Sequence, residues 1–221
     1  MGLVITAILY VSSVVALILT RVRVLKKGKI LFKVTSSLLF LALWIVSSIG
    51  RKLIGFDYMI LISLIFYMSG DILLVLFRSK TGFIVGITAF LTGNIIMIFN
   101  LILYAGVGYL DIPILVSILL IAAISLKAGK LNYEGVGIVI AFYIGIMCIM
   151  VTKAISMNWS SVGFSIFTLL FAVGSLLYGI SDIILANNKF KYKDSKWLSP
   201  LNLGLYYTGI GIIAIFSTMF S

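Results

Sequence analysis

Long apolar runs, each ended by a short polar or basic stretch, recur along the whole chain. The pattern predicts eight spans, at roughly 3–20, 30–50, 57–77, 82–103, 111–126, 134–155, 161–187 and 198–220. At 1.5 Å per residue each is about long enough for a ~30 Å hydrocarbon core, the fifth being the shortest. Helix is the required conformation, because an open strand edge leaves backbone groups unsatisfied in lipid. The first run has no basic residue before it and ends Leu19-Thr20-Arg21 without a small-residue cleavage site, so it is expected to be a retained span. Pro113 and Pro200 fall near helix starts, where a missing N–H costs little.

Composition agrees with that reading. Of 221 residues 62% are hydrophobic and 10% charged, far from the balance of a soluble domain. The expected fold class is an all-α membrane protein forming a single integral membrane domain over 1–221, with no separate soluble domain. Histidine is absent, and cysteine occurs once, at Cys148 within an apolar run. That excludes an intrachain disulfide, a histidine-containing metal site and a histidine base.

The net charge of +11 raises the question of a nucleic-acid partner. The distribution answers it. Arg21, Arg23, Lys26, Lys27 and Lys29 follow span one, Arg78 and Lys80 span three, Lys127 and Lys130 span five. Lys189, Lys191, Lys193 and Lys196 follow span seven, whereas the alternate loops hold only Arg51, Lys52 and Lys153. Topology explains this split: the first group is expected in the cytoplasm, both termini outside, in the cell's plasma membrane. No nucleic-acid partner is expected.

The two halves look alike. Residues 67–74 read Tyr-Met-Ser-Gly-Asp-Ile-Leu-Leu and residues 178–185 read Tyr-Gly-Ile-Ser-Asp-Ile-Ile-Leu, an offset of 111. The same offset carries Arg78 to Lys189 and Gly93 to Gly204. Pseudo-repeats 1–110 and 111–221 would each hold four spans and so share one orientation about an axis along the membrane normal.

Six acidic residues remain as candidates for chemistry. Asp57, Asp111 and Glu134 open spans and Asp194 sits in a loop, positions at which a carboxylate is favoured near a helix N-terminus or the interface. Asp71 and Asp182 instead lie inside apolar spans, where an ionisable group costs at least ~2.5 kcal/mol and marks a functional position. Each precedes a basic residue by seven positions, about 10 Å along a helix. Lys33 lies four residues past Lys29, about 6 Å in from the same side. Thr35, Ser36, Ser37 and Asn202 fall at similar depth, and Tyr206 lies one turn beyond Asn202 on its face. Tyr67 and Tyr178 lie one turn before each aspartate. The residues by themselves accommodate a structural ion-pair cluster, a proton- or ion-coupled transport site for a small molecule or lipid, and a catalytic pair of carboxyl groups.

Other features carry less. Ser181 is not a dyad partner of Asp182, since adjacent helical residues point about 100° apart. Gly82, Gly86 and Gly93 form a smooth packing ridge on span four. Asn94, about 21 Å in from Lys80, is the deepest amide, suited to an interhelical bond or to a site wall. The basic and aromatic segment from Lys189 to Trp197 reads as an interface loop that would attract anionic membrane lipids.

Gly70-Asp71 with Leu74, followed by Phe83, Gly86, Ala89-Phe90 and Gly93, resembles the third- and fourth-span signature of YhhN-type lysoplasmalogenases. Ser181-Asp182 with Leu185, Asn188 and Phe190, then Tyr206-Tyr207, resembles that family's seventh- and eighth-span signature, and Lys33 with Thr35 its second-span motif. Asn94, Val34 and Ile210 stand where the family commonly has histidine, proline and glutamine. The resemblance implies hydrolysis of the vinyl ether bond of a lysophospholipid, giving a fatty aldehyde and a glycerophospho-alcohol, with Asp71 and Asp182 catalytic. It also implies substrate contacts at Lys33, Asn94, Tyr67, Tyr178, Asn202, Tyr206 and Tyr207. Vinyl ethers are cleaved by protonating the outer alkenyl carbon, after which water attacks an oxocarbenium ion of the kind two carboxyl groups manage in glycosidases. No metal or organic cofactor is required. The two aspartates are near-equivalent in sequence, which leaves open which of them is the acid.

Overall fold

The computed structural model describes residues 1–22, 24, 25, 27–77, 79–127, 136–190, 195 and 197–219. Arg23, Lys26, Arg78, Lys130, Glu134, Lys191, Tyr192, Lys193, Asp194 and Lys196, with the side chains of Lys80 and Lys127, lie outside that description. Among the described residues the chain forms eight α-helices and no strand. They are α1 (Gly2–Arg21), α2 (Lys29–Ser48), α3 (Gly55–Leu76), α4 (Lys80–Ala105), α5 (Asp111–Lys127), α6 (Gly137–Ser156), α7 (Ile166–Phe190) and α8 (Leu198–Phe216). Seven are long and apolar enough to cross a membrane, and α5 is a shorter apolar helix. The protein is thus an integral, all-helical membrane protein. Its outer surface carries apolar side chains such as Val4, Ile8, Leu31, Leu103, Ile112 and Ile124, suited to contact with lipid.

Helix ends follow local chemistry more closely than the apolar runs did. The expected seventh span started at 161, but α7 starts at Ile166. Gly163 has φ +79°, outside any helix, and Ser165 then caps the new one. Ser165 Oγ accepts from Thr168 N at 3.0 Å, while Thr168 Oγ1 accepts from Ser165 N at 2.9 Å, so two otherwise orphaned donors are satisfied. Likewise Ser79 opens α4 by accepting from Gly82 N at 3.0 Å.

The closest helix pairs are α3–α4 and α7–α8, equivalent under the 111-residue offset. Around them α2 packs on α3 and α8, and α6 on α7 and α4, in the corresponding places. Small residues set these approaches. A Cβ on Gly209 would lie 2.6 Å from the Gly174 carbonyl oxygen, and one on Gly93 2.6 Å from the Tyr67 ring. No other residue fits there without parting the helices.

One end of the bundle is tied by structural polar contacts. Lys153 Nζ pairs with Asp111 Oδ2 at 3.0 Å and donates to the Gly106 carbonyl at 2.6 Å. Arg51 Nη1 donates to the Thr218 carbonyl at 2.9 Å. Asp57 sits in the first turn of α3 and accepts from Ile54 N at 2.8 Å; it is fully buried rather than exposed at an interface. The opposite end carries the connections α1–α2, α3–α4 and α7–α8, with the basic residues that flank them, and there the bundle is hollow.

Candidate active site

A cavity of about 390 Å³ lies between the helices at the basic end. Its rim holds Arg21 at the end of α1, Lys29 at the start of α2, Ser79 before α4 and Lys189 in the last turn of α7. Deeper in the same cavity lie Lys33, Asp71, Tyr143, Asp182, Asn202 and Tyr206, with apolar walls from Leu74, Val75, Ile87, Phe90, Ile140, Ile144 and Leu185. The periodicity of α3 and α7 turns each aspartate inward with the glycine or small residue before it. Gly70 is needed because a Cβ there would meet the Phe90 ring at 2.6 Å.

Asp71 is densely partnered. Lys33 Nζ lies 3.1 Å from its Oδ1. Its Oδ2 accepts from Ser37 Oγ at 2.8 Å, Tyr206 OH at 2.9 Å and Tyr207 OH at 3.4 Å. An ion pair buried in this way is tolerable only when the remaining oxygen is also hydrogen-bonded, which three hydroxyls from α2 and α8 achieve.

Asp182 is partnered differently. Its Oδ2 accepts a hydrogen bond from Tyr143 OH on α6, and among the described residues no cation lies within ion-pair distance of it. Behind Tyr143 runs a chain of hydroxyls. Tyr143 OH and Tyr178 OH are 3.0 Å apart, and Tyr178 OH donates to Asn94 Oδ1 at 3.2 Å. Tyr67 OH donates to the same Asn94 Oδ1 at 2.7 Å. The rings of Tyr67, Tyr178 and Tyr206 pack in sequence, with centroids 5.3 and 5.9 Å apart, joining the two aspartates' surroundings into one aromatic block.

The nine residues singled out from the sequence therefore divide into two layers. Lys33, Asp71, Asp182, Asn202 and Tyr206 line the cavity. Tyr67, Tyr178, Tyr207 and Asn94 are fully buried behind it, off the cavity lining, and reach the cavity through the aspartates or Tyr143. Lys33 is held by Asp71, and Asn202 Nδ2 donates to the Ser181 carbonyl at 2.7 Å, fastening α8 to α7 beside Asp182. Ser181 Oγ donates to the Tyr178 carbonyl at 2.7 Å and does not face Asp182.

Tyr143 is the residue that reading the sequence passed over. It lies six residues into α6, about 9 Å from the start of that helix, the depth already established for the aspartates. Counted from Lys130 it lies 13 residues in, so the depth rule that marked the aspartates does not reach it; only the start of α6 at Gly137 reveals its level. No group of three or more metal-ligating side chains is gathered among the described residues.

The fold and the cavity define the class: a polytopic α-helical membrane protein with two unequally partnered carboxyl groups at the base of a cation-rimmed cavity. The chain belongs to the YhhN family, whose model matches residues 28–215. That match takes in α2 to α7, nearly all of α8, and every cavity residue named above except Arg21. Neither a curated protein nor a solved structure matches the chain.

Proposed function

We propose that this protein is a membrane hydrolase that cleaves the vinyl ether bond of lysoplasmalogen-type lysophospholipids, with Asp182 as the acid and Asp71 as the carboxylate. The observation that carries the reading is the unequal partnering of two aspartates that share one cavity. Asp71 has a counter-ion and three hydroxyl donors, the surroundings of a carboxylate. Asp182 has a tyrosine hydroxyl and no counter-ion among the described residues, the surroundings of a carboxylic acid in a desolvated site.

The reaction balances with water alone. Asp182 transfers its proton to the outer alkenyl carbon, and the double-bond electrons form the new C–H bond, leaving an oxocarbenium ion at the ether oxygen. The negative charge of Asp71 stabilises that cation and takes a proton from the attacking water. The hemiacetal so formed breaks its bond to the glycerol oxygen. Asp71 passes the proton it took from water to the departing glycerol oxygen, and the proton lost by the hemiacetal hydroxyl as it becomes the aldehyde returns to Asp182, so both carboxyl groups end the cycle as they began. Lys33 holds Asp71 and positions it.

The test is aldehyde release from a 1-alkenyl lysophospholipid by purified protein, with Asp182→Asn beside the wild type. Release by the wild type that is lost in a folded Asp182→Asn protein supports the reading. Equal release by both would overturn the assignment of Asp182.

A further inference from the structure

We propose that the wall of the cavity formed by α4 and α6 binds the first carbons of the substrate's hydrocarbon chain, with Ile87, Ile140 and Ile144 as the residues that select an aliphatic group there. The inference rests on the hydrolase reading for the identity of the lipid, and its test needs no turnover.

Six helices close a ring around the cavity. α2 packs on α3, α3 on α4, α4 on α6, α6 on α7, α7 on α8 and α8 on α2, and all six contribute to the lining. In that order α2 stands across from α6 and α8 across from α4. The helices that carry the aspartates, α3 and α7, stand between the two pairs.

The two pairs present different chemistry to the same space. α2 and α8 contribute Lys29, Lys33, Asn202, Leu203 and Tyr206. Below Ser79 at the rim, α4 and α6 contribute Phe83, Ile87, Phe90, Ile140, Tyr143 and Ile144. Among the described residues no charged side chain belongs to this second wall, and its one hydroxyl below the rim, on Tyr143, is spent on Asp182. Ile87 and Phe90 lie one turn apart on α4, and Ile140 and Ile144 one turn apart on α6, so each pair shares a face. The walls meet where Phe90 packs edge-on against Tyr206, with ring centroids 6.1 Å apart. Contact with the membrane explains apolar residues on the outside of the bundle; it does not explain isoleucines facing a cavity of about 390 Å³ that holds two carboxyl groups. Such a wall forgoes dispersion contacts unless a ligand supplies them.

An ether lysolipid is divided in the same way. On one side of the ether oxygen lies glycerol, with its hydroxyl, and on the other the hydrocarbon. Asn202 Nδ2 is committed to the Ser181 carbonyl, which leaves the amide oxygen as an acceptor for that hydroxyl on the α2–α8 side. Each methylene buried on the α4–α6 side strengthens binding about fourfold. The reverse placement would set the hydroxyl against isoleucines with nothing to accept from it. This orientation agrees with the proposed chemistry. The outer alkenyl carbon lies on the chain side of the ether, the side of α6 and of the Tyr143 hydroxyl bonded to Asp182. Asp71 is held from α2 and α8, the glycerol side.

The experiment is photolabelling of the purified protein in detergent. The probe is a 1-O-alkyl-glycero-3-phosphoethanolamine with a diazirine within the first few carbons of its alkyl chain. It is photolysed with and without an excess of the same lipid lacking the diazirine, and labels displaced by the excess are mapped by mass spectrometry. Displaceable labels are expected on α4 and α6, around Ile87, Ile140 and Ile144. In Ile144→Asn the concentration of unlabelled lipid needed for half displacement should rise about fourfold or more, the scale of one methylene contact. In Ile144→Leu it should stay within about twofold, because volume and polarity are kept. A melting curve on each variant establishes folding, and the wild-type map stands without any variant. Displaceable labels on α2 or α8, or none in the cavity, would overturn the proposal, as would unchanged displacement in folded Ile144→Asn. Failure of the hydrolase reading looks different: labels on α4 and α6 with no aldehyde release from wild type.

Discussion

Lys33 Nζ lies 3.1 Å from Asp71 Oδ1, and this one ion pair makes two aspartates that look interchangeable in sequence chemically unequal. Asp182, at the equivalent position 111 residues later, faces Tyr143 instead. The proposed division of roles between proton donor and charge stabiliser rests on that difference.

Asp182→Asn removes the proposed proton donor while preserving shape, and no buried cation is left alone. Turnover of a 1-alkenyl lysophospholipid is expected to fall by at least about 100-fold, the usual scale of general acid catalysis. The thermal unfolding of the protein in detergent should change little. Aldehyde release and a melting curve on the same sample check both halves.

Asp71→Asn has a second consequence, because it strands Lys33 in a site where the lysine is only 9% exposed. A broken buried pair costs roughly 3–5 kcal/mol. Lys33→Met combined with Asp71→Asn is expected to recover much of that stability and none of the activity. A double-mutant cycle in unfolding free energy tests the coupling.

Tyr143→Phe deletes the hydroxyl that holds Asp182 Oδ2 and leaves the ring. Losing a hydrogen bond to a catalytic carboxyl group is worth about 1.5–3 kcal/mol, so kcat should drop roughly 10- to 100-fold. KM should stay close to wild type, since the tyrosine acts on the aspartate rather than on the lipid. Steady-state kinetics separate the two parameters.

Asn94→Leu removes the common acceptor of Tyr67 and Tyr178 in a fully buried position. Tyr178 OH keeps Tyr143 OH as a partner, so Tyr67 OH is the hydroxyl left stranded, at a cost of about 1–3 kcal/mol. The variant is expected to unfold earlier while KM is little affected, because Asn94 lies off the cavity lining. Thermal unfolding and substrate titration check this.

Much of this arrangement was legible in the chain. Apolar run length gave the helices, because lipid leaves the backbone no alternative. Depth counted from flanking basic residues brought Asp71, Asp182, Lys33 and Asn202 to similar levels with Tyr206 one turn beyond Asn202, and all five line the cavity. What depth could not give was azimuth. Whether Lys33 turns to Asp71 or to Asp182 depends on how α2 packs between α3 and α8, and that is set by contacts over the whole interface. Tyr67, Tyr178 and Tyr207 have the right depth but point behind the cavity, for the same reason. Tyr143 escaped notice because a lone tyrosine in an apolar run carries no charge to mark it. The start of α7 was misplaced because Val162 and Phe164 extend the apolar run through a turn at Gly163.

The most direct test of the central claim is hydrolysis of a 1-alkenyl lysophospholipid in D2O, with the aldehyde trapped at once and analysed for isotope. Delivery of a proton by a fixed Asp182 to the alkenyl carbon predicts one deuterium next to the carbonyl, in a single configuration, and no product from Asp182→Asn. Aldehyde with deuterium in both configurations, or turnover that survives in Asp182→Asn, would contradict it.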